Sequence, residues 1–201
     1  LGARERRRKA EKSKSASVSF SFRDGMQSLT DVLAAAITNV QCGARVVQLA
    51  RDPDGSYVVT VDRAGQGDRA SILRARAIVL AVPAYAGAAL VRALAPDAAA
   101  SLEAIPYAPV VVVASAYRRS DVGHPLDGFG FLAPAREQPR VLGSLFSSTM
   151  FEHRAPSDTV VFTSFLGGRR NPALAAASDE ELLQAVRYEL ERLVAARGTP
   201  L

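Results

Sequence analysis

The apolar residues of this chain change their spacing repeatedly, from a period of two to about 3.6 and back. That pattern confines it to a mixed architecture, α/β or α+β, in which short strands and helices alternate. Residues 17–22 (SVSFSF) alternate strictly and predict a half-buried strand with Val18, Phe20 and Phe22 on one face. Met26, Leu29, Leu33 and Ile37 then recur at helical spacing, predicting an amphipathic helix to about Thr38. Strands are expected at 44–49, through Tyr57, Val59 and Val61, and at 71–76, with turns at Pro53-Asp54-Gly55 and 65–68. Residues 77–82 (AIVLAV) form an unbroken apolar run closed by Pro83, which predicts a strand buried on both faces of a parallel or mixed sheet. Helices are expected at 86–94 and 96–104, and strands at 109–117, 141–147 and 159–166. The last helix, 179–196, has one apolar face of Leu182, Leu183, Val186, Leu190, Leu193 and Val194. Ser178 and Glu181 have the spacing of a capping box in front of it, and Gly198 with Pro200 ends it.

Charge is distributed unevenly. The net +5 resides in residues 1–14, which hold seven Lys/Arg against two Asp/Glu, so the remainder is formally neutral. A solvated linker or exposed helix end is the expected role of that run, here 1–16. Tryptophan is absent and no nucleic-acid module follows, so no nucleic-acid partner is expected. No charge-free apolar stretch reaches the roughly 18 residues that a membrane-spanning helix needs, and no apolar core follows the basic run. Cytoplasmic placement is the expectation from these features. Cys42 is the single cysteine, which excludes an intrachain disulfide and a cysteine metal cluster.

Self-contained catalytic chemistry is not visible in the residues. His124 and His153 are far apart and lack paired carboxylates or cysteines, so neither is expected to hold a metal, and no catalytic residue is assigned. Asp179, Glu180 and Glu181 open a helix, where carboxylates complement the dipole. Glycine placement says more. Gly128 and Gly130 bracket Phe129, and Gly167-Gly168 follow Phe165-Leu166; glycines beside aromatics at strand ends let the backbone approach a flat ligand.

Segment by segment, the chain resembles the flavin amine-oxidase superfamily. Residues 24–29 (DGMQSL) are similar to its Phe-x-Gly-Gly-Met-x-x-Leu entry to the flavin domain, with Asp24 replacing the first glycine. Residues 44–49 (ARVVQL) resemble the strand whose valine backbone meets the adenine of FAD, and Val46 fits that position. Residues 77–84 (AIVLAVPA) look like the strand and Pro turn that close this section. A narrower resemblance, to the protoporphyrinogen oxidases, is carried by residues 105–110, 128–134 (GFGFLAP), 142–148 (LGSLFSS), 151–156 and 165–172 (FLGGRRNP), all in the expected order.

The resemblance implies a two-domain architecture of FAD-binding and substrate-binding domains, with 17–85 a partial FAD-binding segment and 86–201 the substrate-binding domain. It implies that Gly130, Phe131 and Leu132 edge a tetrapyrrole cavity, with Leu145 and Phe165 sandwiching opposite rings. It further implies a six-electron oxidation of a porphyrinogen, with flavin N5 accepting hydride and dioxygen reoxidising the cofactor. The Gly-x-Gly-x-x-Gly phosphate cradle is not in this sequence. The family places it before residue 1, and a further flavin-binding stretch after residue 201, so the expectation is a partial chain that is inactive alone. Other readings are oxidation of coproporphyrinogen III, another flavin amine oxidase, and a non-catalytic tetrapyrrole-binding module. Peripheral contact with the inner face of a membrane and a homodimer are additional expectations.

Overall fold

The computed structural model describes residues 20–63 and 70–201. The chain divides into two compact units, Ala34–Tyr107 and Leu1–Leu33 with Ala108–Leu201. The basic run and the turn expected at 65–68 lie outside the described residues.

Helix α1 (Gln27–Ala36) follows the expected spacing. Its apolar residues Leu29, Val32 and Leu33 are nevertheless exposed. Of the strand expected at 17–22, residues 20–22 are described and take no part in a ladder.

The Ala34–Tyr107 unit carries an antiparallel sheet of β1 (Ala44–Arg51), β2 (Tyr57–Arg63) and β3 (Ser71–Ala75), in that order. The β1–β2 hairpin closes through hydrogen bonds from Asp52 N to Ser56 O and from Gly55 N to Asp52 O. The Asp54 carboxylate accepts from the Ser56 hydroxyl and backbone N–H, and these bonds lower its pKa. Asp52 also pairs with Arg74 of β3. Two short helices, α2 (Ala84–Val91) and α3 (Pro96–Glu103), pack together. Gly87 and Ala88 are buried in α2, where small side chains permit close approach. Tyr107 braces α2, its hydroxyl accepting from Ala84 N at 2.9 Å and its ring edge-on to Tyr85.

One expectation for this unit fails. Residues 77–82 join no ladder, and Val79 is 91% exposed. An apolar run is suited to burial, but burial as a strand requires neighbours to bond its backbone. The described residues supply no parallel partner for it.

The Ala108–Leu201 segment builds a four-stranded antiparallel sheet from β4 (Val110–Arg118), β5 (Gly130–Leu132), β6 (Gly143–Phe146) and β7 (Thr159–Gly167), ordered β4-β7-β6-β5. One turn of helix, α4 (Ser147–Met150), links β6 to the loop before β7. From Thr159 to Leu166 burial along β7 alternates: Val160, Phe162, Ser164 and Leu166 are buried, and the residues between them half-buried. The buried face packs against Leu182, Val186, Leu190 and Val194 of the long helix α5 (Asp179–Val194).

The capping box at α5 is present as expected. Glu181 N donates to Ser178 Oγ at 3.3 Å, and the Glu181 carboxylate accepts from Ser178 N at 2.8 Å. The backbone N–H and the hydroxyl of Ser178, both donating to that carboxylate, lower the Glu181 pKa, so this contribution is full above the ordinary carboxylate range and is lost as pH falls through the lowered folded value. Ser178→Ala is expected to destabilise the chain by about 1 kcal/mol in urea unfolding at neutral pH. An unchanged midpoint would mean that the helix end is held by other contacts.

The far end of α5 is also tied down. Ala195 takes a left-handed conformation (φ 50°), Gly123 N and His124 N donate to Ala195 O and Val194 O, and Arg197 N donates to Asp121 O. The helix thus ends at Ala195 rather than at Gly198.

Candidate functional site

Strand alternation gives the β4–β7 sheet two different faces. One is the buried face under α5; the other is apolar and open. On the open face, residues in register form two rows across the strands. The first reads Val112, Phe165, Gly143, Leu132; the second reads Ala114, Thr163, Leu145, Gly130. Glycine therefore stands between Phe165 and Leu132 in one row and beside Leu145 in the other. With strands about 4.8 Å apart, the two bulky residues of the first row stand about 10 Å apart over a glycine floor. Leu132 is 90% exposed, Val112 55% and Leu145 37%. Contiguous exposed apolar surface of this kind marks a place where something else is bound.

Two glycines make the hairpin possible. Gly130 has φ 142°, and a Cβ there would run into the Ser144 carbonyl oxygen; one at Gly143 would lie 2.5 Å from Phe131 O. The main polar feature of the face is a hydroxyl pair, Ser147 Oγ to Thr163 Oγ1 at 2.7 Å, which fastens α4 onto β7.

The structure brings together four of the five residues expected to contact a tetrapyrrole: Gly130, Leu132, Leu145 and Phe165. Phe131 is separated from them. It pairs with Ser144 on the opposite face, where its ring meets Phe146 at 6.3 Å and packs onto the core. Consecutive residues of a strand point to opposite faces, so the Phe131 side chain does not share the open face of the sheet with Leu132. Phe131 borders a pocket of ≈ 450 Å³ at the sheet edge, which Gly130 and Leu132 also line together with His124, Glu137, Pro139 and Arg192.

Val46 lies in the other unit, on β1, and is half-buried. The β1–β2 register slips between Val46 and Gln48, a β-bulge that leaves Val47 without a cross-strand partner. This stretch borders a groove of ≈ 580 Å³ lined by Val46, Leu49, Val59, Leu80, Ala86 and Leu90 among others. Backbone groups freed by a bulge beside apolar walls suit the edge and faces of a flat heterocycle. The bulge at Val47 has no signature in the residue pattern on either side of it.

The profile of the family described as flavin containing amine oxidoreductase matches residues 3–201. The chain belongs to that family. Among curated relatives, the mitochondrial protoporphyrinogen oxidase of Nicotiana tabacum is 32% identical over 196 residues, covering 90% of this chain and 38% of that protein. Protoporphyrinogen oxidase 2 of Arabidopsis thaliana is 45% identical over 103 residues, covering 50% of this chain and 20% of its own length. Among solved structures, a candidate protoporphyrinogen oxidase from Exiguobacterium sp. 255-15 superposes with a TM-score of 0.74 at 24% identity, over 90% of this chain and 38% of that one. This amine oxidoreductase chain therefore spans less than two-fifths of the length of the relatives first matched.

The family is flavin-containing, and FAD is the cofactor it implies. The bulge and apolar groove at Val46 fit the ring end of such a cofactor. No glycine-rich phosphate cradle stands between a strand and a helix among the described residues. Nor do they contain a cluster of His, Cys, Asp or Glu able to hold a metal, or a helix long and apolar enough to cross a membrane.

Proposed function

We propose that this chain forms the ring-binding face of an FAD-dependent oxidase that converts protoporphyrinogen IX to protoporphyrin IX. The observation that carries this reading is the open apolar face, with Phe165 and Leu132 either side of Gly143 and Leu145 beside them. A broad ring with apolar substituents is bound by shape and burial, and that face offers both. The names of the relatives support the same substrate class. FAD supplies the electron acceptor, with dioxygen as the final oxidant. The residues described here exclude water from one side of the ring and fix its orientation, which explains why no acid–base pair stands on the face. On this reading residues 17–85 serve the flavin and 86–201 the substrate. Phe131 contributes its backbone alone to the ring-binding face.

The test is a fluorescence titration of the chain with protoporphyrin IX, with Phe165→Ala alongside. Saturable binding, weakened about tenfold by the substitution (roughly 1.4 kcal/mol), is the expected result. Equal affinity in the two proteins would remove Phe165 from the site. Tighter binding of coproporphyrin III, or binding of a small amine and no porphyrin, would transfer the assignment to those substrates.

A further inference from the structure

The inward face of α5 contains one charged residue, Glu189, which is 2% exposed. Removing a carboxylate from water is costly unless its oxygens find donors, and Glu189 finds three. Arg192, one helical turn on, donates Nε to Oε2 at 3.0 Å and Nη2 to the same oxygen at 2.7 Å. The other oxygen, Oε1, accepts the backbone N–H of Arg140 at 2.8 Å. Arg140 lies in the connection between β5 and β6, and its guanidinium also sits 4.4 Å from the centre of the Tyr188 ring. An apolar side chain could fill the same volume on α5. It could not hold a loop amide in one place.

That loop leads directly into the candidate site. Two residues after Arg140, Leu142 N donates to Phe165 O at 2.7 Å and Leu142 O accepts from Ala133 N at 3.0 Å. Gly143 then pairs with both Leu132 and Phe165. At the other end of the connection, Arg170 donates to Ala133 O at 2.8 Å. The β5–β6 ladder has only three residue pairs, so it is by itself a weak determinant of where its side chains stand.

We propose that Glu189 is a positioning residue for the ring-binding face. Through the Arg140 amide it fixes the β5–β6 hairpin, and so the placement of Leu132 and Leu145 relative to Phe165. Arg192 acts as its counter-ion. The functional consequence rests on the porphyrin reading above; the structural claim does not.

The experiment compares wild type, Glu189→Ala and Glu189→Gln by residue-resolved amide hydrogen exchange and by protoporphyrin IX titration. Gln retains an oxygen acceptor for the Arg140 amide and discards the charge. In Glu189→Ala, exchange at Arg140, Leu142 and Leu145 should accelerate by about tenfold or more, with ladder amides of β4 and β7 unchanged and porphyrin bound at least about fivefold more weakly. Glu189→Gln should restore both readouts to within about twofold of wild type. Acceleration spread evenly over β4 and β7 would mean that Glu189 only stabilises the fold, and would overturn the proposal. So would unchanged hairpin exchange in Glu189→Ala, or a Gln variant as loose as the Ala variant. Should the Ala variant not fold, hairpin exchange in the Gln variant decides: near wild type supports the amide contact, and release overturns it. If wild type itself binds no porphyrin, the substrate reading fails while the exchange pattern still decides the role of Glu189.

Discussion

Phe162→Ala is expected to lower the unfolding free energy by about 3–5 kcal/mol, the range for emptying a large aromatic site in a packed core. Phe162 is 0% exposed and stands at the centre of β7. Its ring lies edge-on to Tyr117 at 5.9 Å and to Phe146 at 5.7 Å, tying β4 and β6 to the strand between them. Removal would leave two aromatic edges facing a void on the side where α5 packs, and neither neighbour can swing across without breaking its own contacts. Urea unfolding followed by circular dichroism measures the loss. A change below about 1 kcal/mol would mean that the sheet and α5 enclose a different core.

Gly130→Ala should be damaging on a similar scale, at about 2–6 kcal/mol from backbone strain and overpacking together, for an unrelated reason. A positive φ of 142° is a conformation open to glycine, and holding another residue there costs on the order of 1–3 kcal/mol. The added methyl would collide with the Ser144 carbonyl oxygen and approach the Leu145 Cα to 2.8 Å, both backbone atoms that cannot rotate away. The strain is relieved most readily by parting β5 from β6. The variant should therefore lose hairpin amide protection first, and its porphyrin affinity with it, while α5 and the β4–β7 ladder remain. A variant with wild-type stability would show that the close approach at Gly130 is not a feature of the folded chain.

Much of this was visible in the sequence. Local signals sufficed for α5: the stripe from Leu182 to Val194 and the Ser178/Glu181 pair are complete within 17 residues, and the structure follows them. Local apolar runs between turns placed β1, β2, β4 and β7 to within about two residues. Residues 77–82 form no strand because apolar content reports a need for burial, whereas a strand also needs a partner, and no local pattern names one. The assembly of Leu132, Leu145 and Phe165 depends on register between strands up to 33 residues apart in sequence, which periodicity cannot supply; the resemblance to a family pointed to them instead. Phe131 is a different case, since period two alone separates it from Leu132. Glu189 was also within reach. It falls three residues after Val186 and four before Leu193, inside the apolar stripe, where an acid demands explanation.

The alternation along β7 has a consequence for how such a protein can diverge. Thr163 and Phe165 can be exchanged for other residues without touching Phe162, Ser164 or Leu166, so ligand preference can drift by substitution while the core stays constant. Insertion or deletion of one residue would do the reverse, turning Phe165 under α5 and Ser164 toward the ligand. Lineages that share this sheet should therefore differ on its open face by point changes and keep strand length fixed, with length variation confined to loops such as the one from Ala133 to Leu142.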